Sequence, residues 1–96
     1  MKSDVLDEVW DVIGERMEKK PEGSYVVSIL THRKGIDKSL EKVGEEATEF
    51  ILAMKNDNYE RKVEESADLI FHVLLSLRAG DVRLEDVMDE LASRRR

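Results

Sequence analysis

The chain has 96 residues, with 16 basic and 22 acidic side chains, a formal charge of −6 and no cysteine. That length sets a single domain over residues 1–96 whose small core hides roughly 60–65% of the unfolded surface and gains from oligomerisation. The acidic balance argues against a nucleic-acid partner, and the lack of thiols excludes disulfides, a zinc knuckle and a cysteine nucleophile.

Met1-Lys2-Ser3-Asp4 has no basic region feeding an apolar run, so no signal peptide is expected and the cytoplasm is the default location. Val5, Leu6, Val9, Ile13 and Met17 then recur at helical spacing, flanked by Trp10 and Val12. They predict a first helix from Asp4 to Lys19, capped by Ser3 or Asp4 and stopped by Pro21. Pro21-Glu22-Gly23-Ser24 reads as a turn. Tyr25 to Leu30 has strand-like residue types, but a lone strand leaves its backbone unpaired, so a short helix or extended crossover is preferred. Thr31 to Gly35 is a basic loop, with Gly35 at the chain reversal.

A long helix is predicted from Asp37 to Lys55, with Leu40, Val43, Ala47, Phe50, Ile51 and Met54 as its apolar face. Glu45, Glu49 and Lys42 lie nearly opposite that face and Glu46 at its margin. After the turn Asn56-Asp57-Asn58, another helix runs from Tyr59 to Ala79 with Gly80 as its C-cap. Its stripe Val63, Ala67, Ile70, Leu74 and Leu77 is joined by Leu69, Phe71, Val73 and Leu75, so the helix is expected to be surrounded by protein. Its apolar stretch from Leu69 to Leu77 is interrupted by His72 and Ser76 and is too short to span a bilayer. A last short helix buries Leu84, Val87, Met88 and Leu91, and Arg94 to Arg96 form a frayed tail. The fold expected is an all-α helical bundle of four to five helices, completed by oligomerisation.

The chemistry sits in two acidic pairs, each separated by three positions. Glu46 and Glu49 project from one side of their helix, and Glu65 and Asp68 from one side of the next. A short turn makes the two helices antiparallel neighbours, so the pairs face each other with Glu45 at the edge. Four like charges in a partly buried site repel unless a cation sits among them. Carboxylate oxygens without cysteine select Mg2+, or Mn2+, over zinc. Such a cation grips polyphosphate, and a carboxylate not committed to it can take a proton from water. Lys38 and Lys42 share a helix face one turn before Glu45 and Glu46 and suit phosphate. The residues alone therefore indicate magnesium-dependent chemistry on a phosphoanhydride, without a P-loop.

Each feature also has a plainer reading. Glu45, Glu46 and Glu49 can line a solvated face, and Lys42 can pair with Glu46 four residues on. His72 can be a satisfied core histidine or a hydrogen-bond donor to Asp68, and Ser76 can bond back to its own helix. Gly44 would let another helix approach closely, at a helix-propensity cost of about 1 kcal/mol.

The stretch from Lys38 to Glu49, followed by Glu64 to His72, resembles the phosphoribosyl-ATP pyrophosphohydrolases of histidine biosynthesis, within the all-alpha nucleoside triphosphate pyrophosphohydrolase superfamily. Glu45, Glu46 and Glu49 fill its EExxE element, and Glu65 and Asp68 its ExxD element. Pro21 to Tyr25, Lys42 to Ala47, and Leu84 to Val87 with Glu90, Leu91, Arg94 and Arg95 extend the likeness over nearly the whole chain. Val26 stands where threonine is expected. The resemblance implies hydrolysis of phosphoribosyl-ATP to phosphoribosyl-AMP and pyrophosphate by a homo-oligomer, at least a dimer. It implies metal held by Glu46, Glu49, Glu65 and Asp68, catalytic roles for Glu45 and Glu49, phosphate bound by Lys38 and Lys42, and His72 in support. Two alternatives share the same residues: a house-cleaning pyrophosphohydrolase acting on other nucleoside triphosphates, and a non-enzymatic helical interaction module.

Overall fold

Five helices build the computed structural model, which describes the backbone of residues 2–95 and the side chains of residues 5–95. They are α1 (Lys2–Lys19), α2 (Tyr25–Leu30), α3 (Ile36–Met54), α4 (Tyr59–Ala79) and α5 (Leu84–Ser93). The expected all-α bundle is therefore what the chain forms, with Tyr25 to Leu30 as the short helix. Among the described residues no helix is long and apolar enough to cross a membrane.

Local chemistry sets the boundaries. α1 begins at Lys2, so the backbone of Ser3 and Asp4 lies inside its first turn and not before it. Ser24 caps α2 by accepting the Val27 backbone N–H at 3.3 Å, and Asn58 caps α4 by accepting the Arg61 N–H at 3.1 Å. Gly35 enters α3 at φ +63°, a left-handed conformation that suits glycine at the chain reversal. Gly80 ends α4 as expected, but at φ −95°; the left-handed residue is Asp81, at φ +58°. Aspartate tolerates that region better than most side chains. α5 stops at Ser93, where Arg94 pairs with Glu90 at 3.2 Å and the Arg95 N–H bonds the Ala92 carbonyl at 3.1 Å; Arg96, the last residue of the expected tail, lies outside the described residues.

α3 and α4 form the central hairpin. Ser39 and Ser76 meet at 2.6 Å through their hydroxyls, and Glu46 and Glu49 approach Glu65, so residues near the start of one helix oppose residues near the end of the other. Ser76 thus bonds across the hairpin and not back to its own helix. α1 packs on α4, and α2 fills the angle between α1 and α3. The core is small, formed by Ile13, Val26, Ile29, Leu74, Leu75 and Leu84, with Trp10, Met17 and Phe71 against it. Arg78 of α4 locks α1 in place: its guanidinium lies 4.1 Å from the Trp10 ring centroid and donates to the Trp10 carbonyl at 2.8 Å. Gly14 leaves room for it, since a methyl there would approach the guanidinium to 2.6 Å.

The expected enclosure of α4 is only half met. Leu74 and Leu75 are buried, but Val63, Ala67 and Ile70, on the stripe of Leu74 one to three turns earlier, are exposed. On α3 the seam residues are Ser39, Glu46 and Ala53, while Leu40, Ile51 and Met54 of the apolar face are exposed. The apolar face of α3 is thus turned roughly a quarter-turn away from α4. For antiparallel helices the same rotation brings the exposed residues of both helices to one side of the hairpin, opposite Lys42 and Glu49. Gly44 is exposed, and among the described residues none would come within 4 Å of a side chain added there, so no described helix uses the space it leaves.

Leu75 is fully buried at the meeting of α1, α2 and α4. Leu75→Ala is expected to cost about 2–5 kcal/mol of folding stability, measured by chemical denaturation, whereas Val63→Ala in the protomer should change it little.

Candidate metal centre

Three carboxylates meet across the α3–α4 seam. Glu46 and Glu49 stand one turn apart on α3 and Glu65 faces them from α4; one oxygen from each lies within 4.8 Å of the others. Glu46 and Glu65 are buried, at 8% and 3% exposure, while Glu49 is open to solvent. The seam is built this way because the residues that fill it on α3, Ser39, Glu46 and Ala53, recur every seven positions, close to two helical turns.

Burial leaves these charges poorly compensated. Glu65 accepts from Arg61 Nη2 at 2.6 Å through Oε2, yet its Oε1 and Glu46 Oε2 are buried without a hydrogen-bond partner. Buried polar atoms without partners are rare and costly. Desolvation pushes the Glu65 carboxyl above its ordinary value; Arg61 opposes the shift, while Glu49, Asp68 and Glu46 add to it. An all-oxygen set with two unpaired buried oxygens and one solvent-facing member fits a hard divalent cation that keeps water in its shell.

Asp68 is exposed one turn beyond Glu65 and stands outside the 4.8 Å group, although its charge reaches Glu65. Glu45 is exposed at the rim and pairs with Lys42 at 3.1 Å. Lys42 therefore takes the residue three along, Glu45, in place of Glu46 four along; that hydrogen bond raises its pKa. Lys38 pairs with Glu41 at 3.0 Å, and Lys34 reaches the same carboxylate at 2.9 Å. The two lysines pull the Glu41 carboxyl down to about 2. Both proposed phosphate ligands thus hold exposed acidic partners, exchangeable for an anion in solvent.

His72 is buried at 6% exposure, with both ring nitrogens engaged. Nδ1 donates to the Asp68 backbone carbonyl at 2.8 Å, so Nε2 is the acceptor for the Tyr25 hydroxyl, also at 2.8 Å. Its contact with Asp68 is to the backbone and not to the carboxylate. Tyr25 was not singled out at the sequence level, and neither was Arg61. Arg61 lies four residues before Glu65, a spacing that signals a helix pair; nothing local links Tyr25 to His72, forty-seven residues away. Burial raises the Tyr25 hydroxyl above its ordinary pKa, with Lys42 opposing and Glu46, Glu45 and Asp68 reinforcing. The ring thus borders the acidic site.

Residues 6–95 match the family described as phosphoribosyl-ATP pyrophosphohydrolase. Phosphoribosyl-ATP pyrophosphatase of Methanoculleus marisnigri is 64% identical over 92 residues, which cover 96% of this chain and 95% of that protein. That of Methanosphaerula palustris is also 64% identical, covering 96% and 93%. That of Methanocella arvoryzae is 50% identical over 94 residues, covering 98% and 99%.

A cation bound among these carboxylates stabilises the folded state by about 2.7 kcal/mol at a hundred times its dissociation constant. Magnesium is therefore expected to raise the melting temperature by several degrees, and Glu46→Gln to abolish that rise. Without metal, Glu65 binds its proton at higher pH in the folded chain than the ordinary 4.5, so its burial penalty is relieved as pH falls. The stability of Glu65→Gln relative to the parent, followed in chelator by thermal denaturation, should accordingly decline from neutral pH toward 4.5.

Proposed function

The chain belongs to the phosphoribosyl-ATP pyrophosphohydrolase family of the all-alpha nucleoside triphosphate pyrophosphohydrolases, and we propose that it cleaves the α–β anhydride of phosphoribosyl-ATP, giving phosphoribosyl-AMP and pyrophosphate in histidine biosynthesis. The observation that supports this most directly is the convergence of Glu46, Glu49 and Glu65 on one oxygen-lined position. Asp68 is the fourth carboxylate of the proposed set, brought in by rotation of its exposed side chain. Magnesium, or manganese, would supply neutralisation of the phosphoryl oxygens and a lowered pKa for a bound water.

The chain's own residues do the rest. Glu45 and Glu49 are solvent-facing on α3, so one of them takes the proton from the attacking water, while the buried Glu46 and Glu65, with Asp68, would hold the cation. Lys42 and Lys38 exchange Glu45 and Glu41 for the phosphates of the substrate. His72 fixes the Tyr25 hydroxyl and the Asp68 carbonyl, which sets the position of the α4 turn that carries Asp68.

The acting form in this reading is a homo-oligomer, at least a dimer. Leu40, Ile51 and Met54 of α3 and Val63 and Ile70 of α4 are half or more exposed apart from Met54 at 48%, and they share one side of the hairpin. A second copy covering that side would bury them, and continuous apolar exposure of this kind is otherwise a solubility hazard.

Incubation of the protein and Mg2+ with phosphoribosyl-ATP, ATP, dCTP and dUTP in separate reactions tests the assignment. Pyrophosphate and phosphoribosyl-AMP are expected from the first, with Glu49→Gln losing at least a hundredfold in rate, the lower part of the range for a general base. Preferential turnover of a canonical triphosphate would reassign the substrate within the superfamily. In sedimentation, Ile70→Glu is expected to shift the oligomer to monomer; a monomeric parent protein would remove the oligomer from the reading.

A further inference from the structure

Arg61 is badly placed for the helix that carries it. It is the third residue after the Asn58 cap, in the first turn of α4, where a positive charge opposes the helix dipole. That third position is also where a Glu or Gln would complete a capping box. As an ion pair with Glu65 it runs in the less favourable direction, with the cation N-terminal to the anion. Helix energetics therefore do not account for an arginine here, and breaks of local rule of this kind concentrate at functional positions.

The geometry at Glu65 does account for it. Arg61 Nη2 takes Oε2, while Oε1 is buried with no partner. The arginine side chain is 54% exposed and the Glu65 side chain 4%, so the guanidinium approaches from the solvent side and leaves the inner oxygen to the seam. Arg61 and Glu49 line the same cavity of about 450 Å³ beside the α3–α4 turn, so the arginine borders the solvent-facing member of the carboxylate group as well as Glu65. Its other nitrogen, Nη1, is held by exposed Glu64 at 3.3 Å.

We propose that Arg61 is a positioning residue of the metal centre: by holding Glu65 Oε2 it presents Oε1 to the cation shared with Glu46 and Glu49. The inference rests on the reading of those carboxylates as the metal centre. It separates from a second role for the same contact, in which the guanidinium substitutes for the metal and competes with it. A positioning arginine strengthens metal binding; a competing one weakens it.

Mn2+ titration without nucleotide, with free Mn2+ followed by electron paramagnetic resonance and folding by circular dichroism, tests the sign. Arg61→Gln and Arg61→Ala are expected to weaken Mn2+ binding about 10–100-fold, the usual cost of losing a group that orients a ligand. Arg61→Lys should recover most of the loss, and Glu64→Gln should bind as the parent does. Having two neutral variants keeps the test decisive if one fails to fold. Unchanged or tighter binding in a folded neutral variant, with Glu49→Gln still losing the metal, overturns the role of Arg61 alone. No Mn2+ binding by the parent protein overturns the metal-centre reading with it.

Discussion

The structure depends on a concentration of negative charge that its own side chains leave incompletely neutralised. Glu46 and Glu65 are pressed into the seam of the α3–α4 hairpin beside Glu49, with two oxygens desolvated and without partners. A helix pair selected for stability alone would fill that seam with aliphatic side chains, because buried polar atoms without partners lower stability. The surrounding contacts are arranged about this defect. The Ser39–Ser76 hydroxyl pair ties the hairpin at one end, and the Asn58 cap starts α4 at the other. Between them, Arg61 and the Tyr25–His72 link fasten the two turns from which Glu65 and Asp68 project.

The hairpin divides its surface by chemistry. One flank carries Lys42, Glu45 and Glu49; the other carries Leu40, Ile51, Val63 and Ile70; α1 and α2 close over the C-terminal half of α4. This division explains how so short a chain carries buried charge at all. Its hydrophobic core occupies one end, around Ile13 and Leu75, and the acidic seam occupies the other. The polar site is therefore not wrapped in the core, and its open side reaches solvent through Glu49.

Much of the fold was legible because helical periodicity, Pro21, Gly35 and Asn58 are local signals. α4 has the predicted bounds, and α3 differs by one residue at each end. The convergence of Glu46, Glu49 and Glu65 was also legible, since spacing plus a short turn settles which sides of the helices meet. What escaped was tertiary in origin. The apolar stripe of α3 was legible as a face but not where it points, since the seam with α4 is set by Ser39, Glu46 and Ala53, whose small or functional side chains carry little hydrophobic signal. His72 was expected near Asp68, but its second partner comes from α2, and no periodic pattern joins residues forty-seven apart. Ser76 likewise found its partner on the neighbouring helix, although the same hydroxyl on an isolated helix would turn back to its own backbone.

Trp10 is the chain's single tryptophan, and it sits under the Arg78 guanidinium at the far side of the fold from the carboxylates. Its indole is thus an optical probe of one event, the docking of α1 on α4. Emission from Trp10 follows the assembly of the apolar end, while an added metal acts on the acidic end. The apolar half of the protomer can thus be watched in a cuvette, with no label introduced, while metal is added to the acidic half.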